Sequence, residues 1–278
     1  MEAQKPNKPK AAPKAANKKG GLNAILVIIL CFVASVLFYM FVLGAESNYE
    51  NGHPINLMGT IHEGGFVVPI IQGLLILVVV LSVERFIALR KARGSKGVDK
   101  FVGSLKKALE ADDLAGAKEI CKKQGGAIGN AVLSSVEKYA EMSDKNNAAV
   151  AALKKEDRVL AIRNALDEQI NMEMPTLQQN MAIIFTNTTL GTLMGLFGTV
   201  LGMINSFQAL SAGGGADSMA LSAGISEALV NTASGILTSW FAVVIYNFFT
   251  NKIDKLTYAL DEVGYTIAAT YDVNHEEA

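Results

Sequence analysis

MAIIFTNTTLGTLMGLFGTVLGMINSFQ (181–208) contains no Asp, Glu, Lys or Arg, and it lies within a longer charge-free stretch from Met174 to Ala216. At 1.5 Å per residue, a helix of that length crosses a hydrocarbon core about 30 Å thick. Downstream, Ser218 to Asn251 holds one charge, Glu227, so another crossing fits over 219–250, with the GGGAD stretch (213–217) as the turn between the two. Upstream, FVVPIIQGLLILVVVLSV (66–83) reaches spanning length before Glu84 and Arg85. Its Pro69 falls in the first turn, where a missing N–H costs little, and the span is placed at 66–88. LNAILVIILCFVASVLFYMFVLG (22–44) is apolar throughout and gives one more. The pattern predicts an all-α polytopic membrane protein with four transmembrane helices and a helical stalk outside the bilayer.

Charge placement orients these spans. The chain has 278 residues, half of them apolar and 18% charged, with 25 Lys+Arg against 26 Asp+Glu for a net charge of −1. That composition excludes a disordered chain and a nucleic-acid binder. Six Lys lie before the first span, seventeen Lys/Arg lie between Arg85 and Arg163, and Lys252 and Lys255 follow the last span. None lies in the 45–65 loop or the 209–218 turn, the two segments predicted to be periplasmic. Both termini and the 89–180 segment are therefore expected on the cytoplasmic side. The 1–21 tail, rich in Pro, Ala and Lys, is expected to be disordered and to act as a topology determinant. A secretory signal is the alternative for 22–44, but the apolar core exceeds the usual 7–15 residues, and cleavage would leave the other three spans oriented the same way.

No enzyme or metal signature stands out. Cys31 sits in a span and Cys121 in the cytoplasmic segment, so they are not expected to pair, and no His/Cys spacing suggests a metal. His53, His62 and His275 are scattered and are expected to be solvated surface residues. There is no Walker loop and no nucleophile elbow, and no cofactor is implied. Within 89–180, helical spacing is carried by Val98, Phe101, Leu105 and Leu109, then by Leu153, Leu160, Leu166 and Ile170. Gly125-Gly126 and Ser143-Asp144 divide this segment into about three helices. The 154–174 stretch should run into the third span with Pro175 as a kink. The fourth span should continue through Ile253, Leu256, Leu260, Val263 and Ile267 into the 251–278 extension.

The last two spans depart from a plain lipid-facing composition, which the first two nearly meet. Thr188, Thr192, Gly195, Thr199, Gly202 and Ser206 recur at intervals of 4, 3, 4, 3, 4, with Gly198 close by. Gly224, Ala228, Asn231, Gly235, Thr238 and Ala242 repeat the same rhythm. Small residues on such a seam let helix backbones approach, and hydroxyls there can bond across helices. Gly195, Gly198, Gly202 and Gly235 are read as packing positions. Glu227 is a carboxylate inside a span, and with Asn231, Ser234 and Thr238 it forms a polar stripe. From the residues alone it either belongs to an ion pathway, or reaches the outer headgroups or a neighbouring helix.

GLFGTVLGMINSF (195–207), GISEALVNTASG (224–235) and AVVIYN (242–247), with SVERF (82–86) more loosely, resemble the MotA/TolQ/ExbB proton-channel family on its ExbB/TolQ-like branch. The resemblance implies a bacterial inner-membrane protein and a transported proton. It matches Thr199 and Thr232 to the pore threonines and Glu227 to the acidic residue that precedes the second of them. Asn231 and Thr192 are placed with them on the ion pathway or its contact with a partner helix. It also implies a homopentamer around a single-span ExbD- or TolR-like partner with an intramembrane Asp, driving a TonB- or TolA-like transducer. Branch members typically have three spans, so the 22–44 helix is an addition, expected at the lipid-facing periphery. A non-conducting membrane scaffold is the alternative reading; a solute transporter would show a half-sequence repeat, which is missing.

Overall fold

The computed structural model describes residues 24–95, 97–144, 146–212 and 218–275; the expected disordered tail and the 213–217 turn lie outside them. Four helices are long and apolar enough to cross a membrane: Ala24–Leu43, Val67–Arg93, Met181–Ser211 and the first part of Met219–Asn274. In chain order the helices are α1 (Ala24–Phe38), α2 (Leu57–His62), α3 (Val67–Arg93), α4 (Val98–Glu110), α5 (Leu114–Gln124), α6 (Gly126–Met142), α7 (Ala148–Ala151), α8 (Lys155–Leu177), α9 (Met181–Ala212) and α10 (Ser218–Asn274). The fold is all-α but for one hairpin of two-residue strands, β1 (Tyr49–Glu50) and β2 (His53–Pro54), between α1 and α2.

That hairpin follows from Asn51-Gly52, whose φ values of 51° and 80° suit a two-residue turn. The 45–65 connection is thus folded. Asn48 donates to the carbonyls of Val42 and Leu43, which end the π-helical turn Tyr39–Leu43 that continues α1. Asn56 caps α2 by accepting from the Gly59 N–H.

The most internal span is α3, which packs against α1, α9 and α10. By contrast α1 packs on α3, through Phe32 against Gly73 and a Ser35 hydroxyl that donates to the Pro69 carbonyl, while Ile25, Ile29 and Phe41 stay exposed.

Outside the spans, α4, α5, α6, α8 and the far half of α10 share one apolar core. On α4, Val98, Phe101, Leu105 and Leu109 are buried. On α8 the buried stripe is Ile162, Leu166 and Ile170, and the expected Leu153 and Leu160 are exposed. Leu160 lies two positions from Ile162, about 200° around the helix. The segment holds five helices where about three were expected. The extra breaks occur at Asp112, with φ of 54°, beside Asp113 capping α5, and at Asn147 capping the single turn of α7.

Pro175 lies inside α8 near its end, and the helix stops at Gln178–Asn180, where Asn180 has φ of 61°. α8 and α9 are therefore separate helices, which corrects the expected continuous run into the third span. The break is held by Arg85 of α3, only 1% exposed, which donates to the Thr176 and Leu177 carbonyls freed at the end of α8. Glu84 pairs with that guanidinium and accepts from Asn180 Nδ2. The fourth span does continue: α10 runs unbroken for 57 residues. Its Ile253, Leu260, Val263 and Ile267 are buried, and the Tyr271 hydroxyl donates to the Met142 carbonyl at 2.7 Å.

Candidate ion pathway along the last two spans

α9 and α10 make the most extensive helix pair in the chain, and their small residues face each other. A Cβ on Gly235 would meet the Gly191 carbonyl oxygen at 2.5 Å and the Gly195 Cα at 2.7 Å. A Cβ on Gly202 would meet the Gly224 carbonyl oxygen at 2.7 Å, and one on Gly198 would meet the Asn231 side chain. The two backbones therefore run at a separation that only glycine permits at these levels.

Hydroxyls bridge this close contact. The Thr199 and Thr232 hydroxyls hydrogen-bond to each other across the seam, and Thr199 Oγ1 also donates to the Gly195 carbonyl at 3.0 Å. The Thr232 hydroxyl also lies 3.5 Å from the Gly195 carbonyl, so either threonine can be the donor between the two. Both residues are half-buried, on the margin of the helix pair. One level away, Ser239 Oγ accepts from the Thr192 N–H at 2.7 Å and from the Thr192 hydroxyl at 2.9 Å. Ser239, next to Thr238 but on the adjoining face of α10, escaped the sequence reading.

The acid lies at the opposite level. Glu227 Oε2 accepts from Asn205 Nδ2 of α9 at 3.3 Å, and a Cβ on Gly65 would come within 2.8 Å of Oε1. Gly65 has φ of 72°, so the chain turns into α3 directly against the carboxylate. Asn231 is fully buried and donates to the Gly64 carbonyl at 2.8 Å. Glu227 and Asn231 face the start of α3, while Thr232 faces Thr199. Asn205, a polar residue within a charge-free span, was the signal in the sequence for the Glu227 partner.

Three buried side-chain atoms in the spans have no hydrogen-bond partner among the described residues: Gln72 Oε1 on α3, Asn187 Nδ2 on α9 and Asn231 Oδ1 on α10. Buried polar atoms are ordinarily satisfied, so these mark positions for water or a further polar group.

Above this level the 45–65 connection carries a small aromatic cluster. His62 stacks on Tyr39 with ring centroids 4.5 Å apart, and its Nδ1 lies 2.7 Å from the Tyr49 hydroxyl. Burial, with a smaller effect of Glu63, raises the Tyr49 phenol above its ordinary value. His62 and His275, the latter stacked on Tyr271 at 4.2 Å, are packed residues, which corrects the expectation that they are merely solvated. His53 is exposed. Both cysteines are free and buried, and no group of metal-ligating side chains occurs among the described residues. Burial pushes the Cys121 thiol up to about 12.

Residues 137–262, from α6 through both helices of the seam, match the sequence model of the MotA/TolQ/ExbB proton channel family. Over that stretch the chain resembles this family, and the relatives it matches carry ExbB and TolQ names. The Synechocystis sp. protein named ExbB-like 3 is 35% identical over 89 residues, covering 31% of this chain and 42% of that one. The Tol-Pal system protein TolQ of Haemophilus influenzae is 32% identical over 92 residues, 33% of this chain and 40% of its own. The biopolymer transport protein ExbB of Salmonella typhimurium is 39% identical over 71 residues, 26% and 29% of the two chains. The chain thus spans less than half the length of each of these relatives. α1 lies on the side of α3 and has no extensive contact with the seam among the described residues.

Proposed function

We propose that the chain is the proton-conducting, stator-like subunit of an inner-membrane motor of the ExbB/ExbD or TolQ/TolR type. The observation that carries this reading is the hydrogen-bonded Thr199–Thr232 pair on the margin of the glycine seam. Threonine hydroxyls orient water and bond a carboxylate but hold no charge at neutral pH. Among the described residues the one acid in α9 or in α10 before Lys252 is Glu227, several residues toward the outer end from Thr232. A single-span partner that brings an Asp opposite Thr199 and Thr232 would supply the missing titratable group. Thr192, Asn231 and Glu227 would border the same path above and below, and the unpartnered amide oxygen of Asn231 suits a water on it. Each proton entering through such a path releases about 2.3 kcal/mol per 100 mV. Repeated crossings would turn or shift the partner inside a ring of these chains, a pentamer by family resemblance, and work on a TonB- or TolA-like transducer. In this arrangement the charged ends and the α4–α8 bundle face the cytoplasm.

The test is co-expression with a single-span protein bearing one intramembrane Asp, encoded beside this chain. The expected result is a co-purifying complex that, in liposomes with an imposed pH gradient, carries protons as reported by an internal dye, whereas the chain alone does not. A stable complex that conducts nothing would instead favour the scaffold reading.

A further inference from the structure

The Lys and Arg residues at the inner ends of the spans are not evenly spread. Arg90 and Arg93 of α3 and Lys252 and Lys255 of α10 line a single groove of about 590 Å³ between these two helices and the start of α4. Its floor is apolar, made by Leu89, Phe249 and Leu256, which are 5%, 2% and 9% exposed. No acid lines it. The five ion pairs among the described residues use none of the four cations. Charge placement for topology alone asks only that cations lie on one side of the bilayer. It does not ask that four of them converge, unpaired, over buried hydrocarbon.

The depth of the groove is set by the sequence. Lys252 is the first charge after the uncharged run from Ala228 to Asn251, and Arg90 follows the uncharged run from Gly64 to Val83 by two turns. The groove therefore opens where the two spans leave the hydrocarbon. The Lys252 ammonium is steered there by aromatic faces, 4.8 Å from the Phe248 ring centroid and 5.8 Å from that of Phe86.

We infer that this groove is a binding site for an anionic phospholipid, with the phosphate among Arg90, Arg93, Lys252 and Lys255 and the upper acyl chain against Leu89, Phe249 and Leu256. A phosphate anion matches the unpaired positive charge, and the apolar floor beneath it matches a ligand that carries hydrocarbon, which a free phosphate does not. A lipid held here ties the emerging ends of α3 and α10 together just above the extramembrane bundle.

Native mass spectrometry of the full-length protein, exchanged into detergent with phosphatidylglycerol or phosphatidylcholine, tests this. The wild type should retain phosphatidylglycerol in preference to phosphatidylcholine. At about 1 kcal/mol per cation, each of K252Q and R93Q should lower that retention about fivefold. K122Q and K123Q, on α5 away from the groove, should leave it unchanged. The single substitutions are exposed, and unchanged helicity and elution volume establish that they fold. Equal retention of the two lipids, equal retention in K252Q and R93Q, or complete displacement by millimolar inorganic phosphate would each overturn the assignment. So would a loss of oligomer size in K252Q without any change in lipid retention, since the groove would then hold another copy of the chain.

Discussion

Asn231, in the fourth turn of α10, donates its side-chain N–H to the backbone carbonyl of Gly64 at the entrance to α3, 2.8 Å away and wholly buried. This bond joins residues 167 positions apart and fixes the start of α3 against the helix that carries Glu227. Asn231→Leu removes the donor and leaves the Gly64 carbonyl unmet in an apolar setting. A loss of about 0.5–1.5 kcal/mol is expected in reversible unfolding in detergent, as for hydrogen bonds between membrane helices. Asn231→Gln, with a longer arm but the same amide, should recover part of it.

The buried pair at the other end of α3 should be more costly to break. Arg85 is 1% exposed and Glu84 20%. Glu84→Gln leaves a guanidinium without its counter-ion, and Arg85→Met leaves the last carbonyls of α8 without a donor. Each should cost about 2–3 kcal/mol, below the range for a fully buried pair because Glu84 meets some solvent. The double variant should cost clearly less than the sum, as a double-mutant cycle would register.

Two glycines should respond in opposite directions to the same substitution. A methyl on Gly235 would collide with backbone atoms of Gly191 and Gly195, so α9 and α10 must separate, and Gly235→Ala should destabilise by about 1–3 kcal/mol. Gly103, exposed on α4, has open space at its Cβ position, and Gly103→Ala should stabilise by up to about 1 kcal/mol through helix propensity. Thermal melts of both variants in one detergent give the comparison.

Cys121 supplies a pH prediction. Its thiol is pushed up to about 12 by burial, against about 8.5 in an unfolded chain. The unfolded state therefore releases this proton first on raising the pH. The stabilising effect of burying the neutral thiol is fully present below about pH 8.5 and is lost progressively as the pH climbs toward 12. In a Cys31→Ala background, Cys121 should resist alkylation at pH 8 while folded and react rapidly once denatured. The melting temperature should fall above pH 9 more steeply than in a Cys121→Ala control.

The spans were legible because the bilayer demands long charge-free runs, and such runs leave few readings open. The seam of α9 and α10 was legible for a related reason: glycines at 4, 3, 4 spacing have one cheap use in lipid, the close approach of another helix. The end of α8 was not. Pro175 marked the region, but what ends the helix three residues later is the positive φ of Asn180 together with the reach of Arg85 across 92 positions to the Leu177 carbonyl. Neither the partner nor the bend is visible in local pattern. Glu227 was partly legible: its position in a span and the polarity of Asn205 could be read, while its approach to Gly65 depends on how three helices meet. Leu160 was misplaced because six residues to Leu166 is not a helical repeat, so it could not share a face with Ile162, Leu166 and Ile170.

The central claim is that the Thr199–Thr232 pair lies on the route of the proton. It is tested most directly by proton flux into liposomes holding the complex of this chain with the proposed Asp-bearing single-span partner, comparing wild type with Thr232→Val and Thr199→Val at equal amounts of assembled complex. Valine keeps the shape of the seam and removes the hydroxyl, so assembly should persist. The expected result is flux reduced to the level of liposomes without protein in both variants, with Thr232→Ser retaining most of it. Undiminished flux in either valine variant would contradict the assignment.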